Sequence, residues 1–250
     1  MPQSTTVRAE HEIDHGRKLA SGDPEFTWGW GSVAGERRAR RRGELIAHYA
    51  GLGPGRRALE VGCGTGLFTE MFATSGAEIV AVDISPDLLA IARERGLPAE
   101  RVVFLEKRFE DCDVEGPFDA VIGSSILHHL QLDVAMKRIF ELLKPGGGIS
   151  FAEPNMLNPQ IAVQKNVPWI KERLGDSPDE TAIVRWKFAR LLAGIGFERV
   201  RIIPFDWLHP ATPRPLIPVV GGIGAVLEWL PVVREFAGSV LIQACRPGAR

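Results

Sequence analysis

The segment Leu59-Glu60-Val61-Gly62-Cys63-Gly64-Thr65-Gly66 joins an apolar strand to a glycine-rich turn, and helical periodicity follows it. Glycine allows the main chain conformations that are closed to other residues, and it lets a ligand approach the backbone closely. In open α/β sheets, ligands bind beyond the carboxyl ends of the strands, where this turn is expected to lie. The segment therefore predicts a site for a nucleotide-like ligand at the first strand of such a sheet.

Short apolar runs alternate with helical stretches from residue 57 onward, as in the βαβ units of a parallel sheet. One helix is marked by Ser85 as its N-cap, Pro86 at its first position and Gly96 at its end. The pattern predicts an α/β fold with a Rossmann-like, seven-stranded, mostly parallel sheet and helices on both faces. The predicted strands are 58–61, 79–82, 102–105, 120–122, 149–152, 197–205 and 239–245, and the predicted helices are 36–49, 85–96, 133–144 and 181–193.

The chain has 250 residues, of which 45% are hydrophobic and 24% charged, so it can bury a full core as one domain. Residues 35–155 form the predicted cofactor-binding core. Residues 1–34 are expected to be a mobile N-terminal segment that acts as a lid. Because the stretches 156–180 and 206–237 are rich in proline and have little periodicity, we expect them to be insertions that cap the substrate site.

Charge and cysteine content exclude several classes of protein. Thirty basic and thirty-one acidic residues give a net charge of −1, which provides no field to attract nucleic acid. The three cysteines are widely spaced and odd in number, so they indicate neither a disulfide framework nor a zinc site. The first residues lack the apolar region of a secretory signal. A cytoplasmic location is therefore expected, and the oligomeric state is left open.

The longest apolar run extends from Leu216 to Val233, and Pro218, Glu228 and Pro231 interrupt it. A spanning helix needs about 20 consecutive apolar residues, so no membrane-spanning helix is predicted. The few charges in this run form no basic face. A buried or cap-forming helix is therefore favoured, and contact with a membrane surface is the alternative.

Asp83 ends the second predicted strand, where a carboxylate can accept hydrogen bonds from both hydroxyls of a ribose. Ile84, next to it, is placed to cover the face of an adenine. The dinucleotide fingerprint G-x-G-x-x-G would require glycine at position 67, where Leu67 stands. A nicotinamide-dependent oxidoreductase is therefore the less favoured alternative.

The chain resembles the class I S-adenosylmethionine-dependent methyltransferases, in particular the small-molecule branch similar to methyltransferase type 11. The resemblance spans about residues 45–205 and rests on the order and spacing of several segments. It implies S-adenosyl-L-methionine as cofactor and S-adenosyl-L-homocysteine as product. The matching segments are Glu60 to Gly66, Val82-Asp83-Ile84-Ser85, Phe118-Asp119-Ala120-Val121, Leu127-His128-His129-Leu130 and Leu143-Lys144-Pro145-Gly146-Gly147.

The resemblance also assigns the cofactor site residue by residue. Glu60 would lie near the ammonium group of the cofactor, Asp83 would hold the ribose, and Ser124 would line the methionine portion. The family commonly carries an aspartate for the adenine amino group where this chain has Arg108, so Phe109 and the acids after it would have to supply those contacts. The implied cofactor-binding residues are Glu60, Gly62, Cys63, Gly64, Gly66, Asp83, Ile84, Arg108, Phe109 and Ser124.

Methyl transfer depends mainly on positioning, since effective molarities of about 10⁵ to 10⁸ M are reached by well-oriented groups. A hydroxyl acceptor also needs a base. His128 and His129 follow the fourth predicted strand, and imidazole accepts a proton near neutrality. His129 is the preferred base and oxygen the preferred nucleophile, while a packing role is the alternative for either histidine.

Comparison with related enzyme types sharpens the prediction. Quinone-type O-methyltransferases that resemble this chain carry acidic residues where Ser125 and His128 stand, so no metal site is predicted. Enzymes that methylate amino groups of DNA bases carry D/N-P-P-Y/F at the position of Gly123-Ser124-Ser125-Ile126, so a nucleic-acid substrate is not expected. The candidates for substrate contact are Trp28, Trp30, Glu153, Asn155, Trp207 and His209.

The sequence thus predicts a methyltransferase for a small-molecule acceptor, with O-methylation of a secondary metabolite or sugar derivative favoured. Two alternatives stay open. The acceptor would be an isoprenoid or lipid-linked molecule in one of them. In the other, the chain would bind S-adenosylmethionine without catalysing a reaction.

Overall fold

The computed structural model describes residues 5–174 and 180–248 and has one seven-stranded sheet in this part of the chain. The strands are β1 (Arg57–Val61), β2 (Glu78–Asp83), β3 (Val102–Glu106), β4 (Phe118–Ser124), β5 (Leu143–Pro154), β6 (Glu198–Phe205) and β7 (Ser239–Cys245). Their order across the sheet is β3-β2-β1-β4-β5-β7-β6. Only β7 runs antiparallel to its neighbours among these strands. The predicted seven-stranded, mostly parallel sheet is confirmed.

Helices cover both faces of the sheet, as predicted. Ile46, Phe72 and Leu89 pack against one face, and Met136 and Leu192 pack against the other. The helices are α1 (Thr5–Ala20), α2 (Pro24–Thr27), α3 (Val33–Ala50), α4 (Leu67–Ala73), α5 (Pro86–Glu94), α6 (Leu132–Leu142), α7 (Pro159–Asn166), α8 (Pro168–Arg173), α9 (Arg185–Ile195) and α10 (Ile217–Leu227). The residues packed on the first face belong to α3, α4 and α5, and those on the other face belong to α6 and α9.

Four of these helices were not predicted from the sequence. Helices α1 and α2 precede residue 36, and α7 and α8 lie within the predicted insertion 156–180. Helices α2, α7 and α8 each begin with proline. Proline lacks a backbone N–H, but the first residue of a helix needs none, because its N–H has no partner within the helix. The prolines of α7 and α8 had indicated an irregular insertion. Residues 1–4 and 175–179 of these predicted segments lie outside the described residues.

Helix α1 packs against the start of α5, directly beside the carboxyl end of β2. A Cβ atom on Gly16 would lie 2.3 Å from Oγ of Ser85, so only glycine permits this approach. Ser85 caps α5 as predicted, because its Oγ accepts a hydrogen bond from the N–H of Leu88 at 3.3 Å. This contact holds α1 over the edge of the sheet where the strands end.

Helix α10 differs from its prediction. It is apolar, but of its residues only Ile217 and Gly224 are buried, so the expectation of a buried helix is wrong for most of its surface. Ile217 forms a small cluster with Ala34 and Leu208, and Gly224 packs against Trp207. No helix among the described residues is both long and apolar enough to cross a membrane.

Candidate active site

A cavity of about 340 Å³ lies at the carboxyl ends of β1, β2 and β4. The volume falls in the range of small-molecule sites, and the location is the one expected for ligands of open α/β sheets. Its walls include the backbone of residues 62–65, Asp83 and Ile84 after β2, and Ser124 at the end of β4. Helix α1 closes one side through Arg8 and Glu12.

The glycine loop after β1 has a conformation that its sequence dictates. Gly62 has φ of 67°, and a Cβ atom there would lie 2.2 Å from Cγ1 of Ile126. No larger residue fits, because both the backbone angle and the space exclude it. The N–H groups of Gly62 and Cys63 donate to the carbonyl of Val82 at 2.8 and 3.2 Å, which ties the loop to β2.

Asp83 lies at the centre of the cavity wall. Its Oδ2 accepts a hydrogen bond from the N–H of Gly64 at 2.8 Å, and its Oδ1 accepts one from the N–H of Ser85 at 2.9 Å. Burial raises the pKa of Asp83, and these two N–H groups oppose that shift. A carboxylate offers about four acceptor positions, so both oxygens can still accept hydrogen bonds from two neighbouring hydroxyls.

Two residues predicted to bind the cofactor do not line the cavity. Glu60 is buried behind the glycine loop, and its Oε2 has no hydrogen-bond partner within the described part of the chain. Burial raises the pKa of Glu60 to about 8, which favours the neutral acid at pH 7. Gly66 is the N-cap residue of α4 and packs against Ala92 of α5. Both residues shape the loop, and neither faces the cavity.

The residues expected beside an adenine also line the cavity. They are Ile84, Arg108 and Phe109, and Cys63 joins them from the glycine loop. Arg108 forms an ion pair with Asp111 at 2.8 Å and approaches Glu110 at 3.5 Å. The acids that follow Arg108 therefore sit against its guanidinium group.

His128 is a buried cation, which contradicts its prediction as a base. Nδ1 lies 2.6 Å from Oε2 of Glu153, and Nε2 lies 3.3 Å from Oε1 of Glu180. Burial opposes the charge, but the two carboxylates outweigh it and raise the pKa of His128 to about 9. An imidazolium with both nitrogens engaged has no free lone pair to accept a proton.

His129 faces the cavity, and its environment differs from that of His128. Its Nδ1 lies 3.0 Å from Oε2 of Glu12 on α1, and the two histidine rings are 4.3 Å apart. A carboxylate at one ring nitrogen fixes the orientation of an imidazole and leaves the other nitrogen for chemistry. The preferred base of the sequence analysis therefore lines the cavity, and its role as a base stays a prediction.

Glu12 was missed from the sequence, although a signal existed. The residues of α1 that line the cavity include Arg8, Glu12, His15 and Leu19, which recur at the spacing of one helix face. This face carries charged side chains, so hydrophobic periodicity did not reveal it. A search for polar residues at helical spacing would have found it.

His128, His129 and Glu180 bring potential metal-ligand atoms within 4.8 Å of one another. Metal binding would require neutral imidazoles. The carboxylates of Glu153 and Glu180 instead favour the protonated form of His128, and Lys165 forms a second ion pair with Glu180. These residues fit an ion-pair cluster better than a metal site.

Trp28 and Trp30 both line the cavity, as predicted for substrate contacts. The Trp28 ring lies 3.2 Å from the position that a Cβ atom of Gly64 would take, so it covers the glycine loop. Trp30 is buried and packs edge-on against Phe68, with ring centroids 5.6 Å apart. Trp28 is therefore the one with a ring exposed to a ligand beside the loop.

Glu153 and Asn155 do not line the cavity, which corrects their prediction as substrate contacts. Glu153 is fully buried, and its Oε1 accepts hydrogen bonds from the N–H groups of Ile126 and Leu127, each at 2.9 Å. The Asn155 amide donates to the carbonyl of Ala237 at 2.8 Å. Both side chains therefore hold neighbouring backbone in place.

Trp207 and His209 also lie away from the cavity, contrary to prediction. Trp207 packs against Gly224 of α10. His209 contacts the Gln160 amide at 3.0 Å and accepts a hydrogen bond from the N–H of Ala211 at 3.1 Å. Trp207 therefore packs within the late insertion 206–237, His209 joins it to the insertion 156–180, and no residue of 206–237 lines the cavity.

Arg42 was another residue missed from the sequence. It is buried, and its guanidinium donates to Oγ of Ser125 at 2.8 Å, to the carbonyl of Ala152 at 3.1 Å and to Oγ of Ser239. Burial lowers the pKa of Arg42 to about 10, so it stays charged. It links the ends of three strands beneath the cavity.

Comparison with known proteins adds independent information. Residues 58–147 match the family model described as a methyltransferase domain. The chain is 39% identical over 106 residues to the ubiquinone biosynthesis O-methyltransferase of Xanthomonas campestris pv. campestris (strain B100). The matched segment covers 41% of this chain and 44% of that protein. The same enzyme of Xylella fastidiosa (strain 9a5c) is 39% identical over 97 residues, covering 37% of this chain and 39% of that one. The chain thus matches less than half the length of these relatives.

Solved structures show the same fold over most of the chain. The crystal structure of the N-methyltransferase NodS from Bradyrhizobium japonicum WM9, in complex with S-adenosyl-L-homocysteine, has a TM-score of 0.63 at 14% identity and covers 94% of this chain and 98% of its own. The crystal structure of an S-adenosylmethionine-dependent methyltransferase from Mesorhizobium loti has a TM-score of 0.61 at 18% identity. The match covers 81% of this chain and 96% of that chain. At these identities the likeness concerns the fold alone.

Proposed function

We propose that this chain, in which residues 58–147 form a methyltransferase domain with the class I fold, binds S-adenosyl-L-methionine and methylates a small-molecule acceptor. The observation that carries the proposal is the position of Asp83. Its carboxylate shares one cavity with the bare backbone of Gly62 to Gly64 and with His129. The free acceptor positions of Asp83 suit the two hydroxyls of a ribose, so the residues present fit an adenosyl ligand.

The bound cofactor supplies an activated methyl group on a sulfonium, and the protein supplies position and a base. Gly62 and Gly64 present backbone without side chains, Asp83 would hold the ribose, and Ser124 lines the same cavity. His129, oriented by Glu12, takes the proton of the attacking group through its second ring nitrogen. His128, held as a cation by Glu153, supports the segment that carries His129.

The favoured nucleophile is a hydroxyl oxygen, because His129 provides a base and the matched relatives are named O-methyltransferases. The favoured acceptors are a secondary metabolite or a sugar derivative. Trp28, Leu67 and Phe68 give the cavity an apolar wall for the body of such a molecule. An isoprenoid or lipid-linked acceptor and a non-catalytic S-adenosylmethionine-binding role are the alternatives.

Helix α1 supports the lid role that we propose for residues 1–34, because it contributes one wall of the cavity. The acceptor is expected to be a small molecule and not a nucleic acid, given the net charge of −1. Cys63, Cys112 and Cys245 form no disulfide, which supports the expected cytoplasmic location.

Two measurements test the proposed function in sequence. Titration calorimetry with S-adenosyl-L-homocysteine and with NADPH should give binding to the first ligand only. A screen of hydroxylated acceptors with a methyl-labelled donor should then give a labelled product. Binding of the cofactor with no product from any acceptor would favour the non-catalytic alternative, and binding of NADPH alone would overturn the proposal.

His129→Ala is expected to lower turnover by about 10² to 10⁴-fold, the usual contribution of a general base, while cofactor affinity stays unchanged. Glu12→Gln should cause a smaller loss and shift the pH profile of turnover, because Glu12 orients the ring. Steady-state kinetics with the acceptor from the screen would measure both effects. Glu10→Gln, an exposed change on the same helix, is the matched control. Near-normal turnover in His129→Ala and His128→Ala would exclude a histidine base.

Removal of divalent ions is expected to leave turnover unchanged, because His128 in the grouping with His129 and Glu180 is held in its protonated form. Dialysis against EDTA followed by an activity assay checks this. The control is the same assay after magnesium or zinc is added back. Activity that is lost in EDTA and restored by either ion would contradict the prediction and assign the metal to this grouping.

A further inference from the structure

An exposed apolar surface runs along α10 and the turn after it, and nothing in the described part of the chain covers it. Val219, Ile223 and Val226 recur at helical spacing, and Trp229 and Val232 continue the same surface. The exposed fraction is 62% for Val226, 84% for Trp229 and 75% for Val232. We call these five residues the apolar patch. Contiguous exposed patches of this kind mark sites of interaction with a protein or a membrane.

Arginines of other elements border the apolar patch. The Arg37 guanidinium of α3 lies 3.4 Å from the position that a Cβ atom of Gly221 would take, and Arg214 lies exposed just before α10. Neither arginine forms an ion pair with any residue that the structure describes. Arg40 is exposed one turn further along α3. The sequence alone showed no basic face here, because Arg37 and Arg40 lie about 180 residues earlier in the chain than α10.

All three carboxylates of residues 206–237 are paired with arginines of the domain. Glu228 accepts a bidentate pair from Arg41 at 2.6 and 2.7 Å. Asp206 pairs with Arg38 at 2.9 Å, and Glu235 pairs with Arg185 at 2.6 Å. The charge that remains around the apolar patch is therefore positive.

We propose that the apolar patch docks on the surface of an anionic lipid bilayer. Apolar side chains with a tryptophan would enter the boundary between headgroups and acyl chains, and Arg37 and Arg214 would meet the anionic headgroups. A second copy of the chain fits less well. A two-fold interface would bring this basic border against itself, with no acidic group left to compensate. This inference is independent of the proposed function.

Flotation of the full-length protein with vesicles tests the proposal. Vesicles of phosphatidylcholine mixed with phosphatidylglycerol should carry the protein upward at low salt, and vesicles of phosphatidylcholine alone should carry much less. High salt should weaken the binding, because the arginines act through screened charge. The double variant Ile223→Glu, Val226→Glu should reduce the bound fraction about tenfold, since both side chains belong to the inserted face.

Two further variants make the result specific. Val134→Glu introduces the same charge at an exposed position of α6, on the opposite face of the sheet, and should float like the unaltered chain. Arg37→Glu with Arg214→Glu should remove the preference for anionic vesicles. Absence of flotation at low salt, equal flotation on both vesicle types, or full binding by the Ile223 and Val226 double variant would overturn the proposal. A concentration-dependent dimer that this double variant abolishes, without vesicle binding, would overturn it in favour of self-association.

Discussion

Asp83→Ala is expected to weaken the binding of S-adenosyl-L-homocysteine by about 100-fold or more. A hydrogen bond to a charged group contributes about 1.5 to 3 kcal/mol, and a ribose would form two with this carboxylate. The substitution also removes the acceptors of the Gly64 and Ser85 N–H groups, which loosens the loop that faces the ligand. Titration calorimetry on the purified chain would measure the dissociation constants.

The matched control for this prediction is Asp87→Ala, which removes an exposed carboxylate from the first turn of the neighbouring helix α5. Its affinity should equal that of the unaltered chain. Thermal unfolding without ligand separates loss of binding from loss of fold. Asp83→Asn keeps the shape of the side chain and should bind with intermediate affinity. Unchanged affinity in a folded Asp83→Ala protein would remove the basis of the proposed cofactor site.

Glu153→Ala is expected to lower the free energy of unfolding by about 3 to 5 kcal/mol, the usual cost of leaving one charge of a buried pair without its partner. His128 would lose the carboxylate that stabilises its charged form against burial, and the N–H groups of Ile126 and Leu127 would lose their acceptor. Denaturant unfolding followed by circular dichroism would measure the change. Glu141→Ala, which removes an exposed carboxylate paired with Arg138, should cost less than about 1 kcal/mol.

The same pair predicts how stability changes with pH. The pKa of His128 is raised from 6.5 to about 9, so its contribution is fully present below pH 6.5 and is lost as the pH rises through about 9. Interaction with His128 lowers the pKa of Glu153 against the effect of burial, so its contribution is present above pH 4.5 and is lost on further acidification. As the pH rises from 6 to 9.5, the free energy of unfolding of the unaltered chain should therefore fall. The free energy of unfolding of Glu153→Ala should change less over the same range. Equal slopes for the two proteins would contradict the assignment.

Local signals predicted the sheet well, and eight of the ten predicted cofactor-binding residues line the cavity. Each strand was marked by a short apolar run, and Ser85 with Pro86 marked the start of α5. Asp83 and the glycine loop were predicted as one site because parallel strands end at the same edge of a sheet. In the structure, Oδ2 of Asp83 lies 2.8 Å from the backbone nitrogen of Gly64. The predicted methyltransferase resemblance is confirmed by the family match over residues 58–147 and by the shared fold.

The residues predicted less well depend on contacts between distant parts of the chain. His128 was a plausible base until Glu153 and Glu180, 25 and 52 residues later in the sequence, were found at its two ring nitrogens. Glu153 itself was expected to face the ligand, because the end of a strand does not reveal which way its side chain points. Helix α1 was not predicted, because helices were predicted from the periodicity of apolar residues and the face of α1 toward the cavity is largely polar.

The placement of Glu12 on α1 links two properties of the site that are usually separate. The helix that seals the cavity beside Gly16 is also the helix that brings a carboxylate to His129. In the lid role proposed for residues 1–34, a displacement of α1 that opened the cavity would also separate the Glu12 carboxylate from His129, and its return would restore that contact. Proton abstraction by His129 would then be confined to the closed form of the protein.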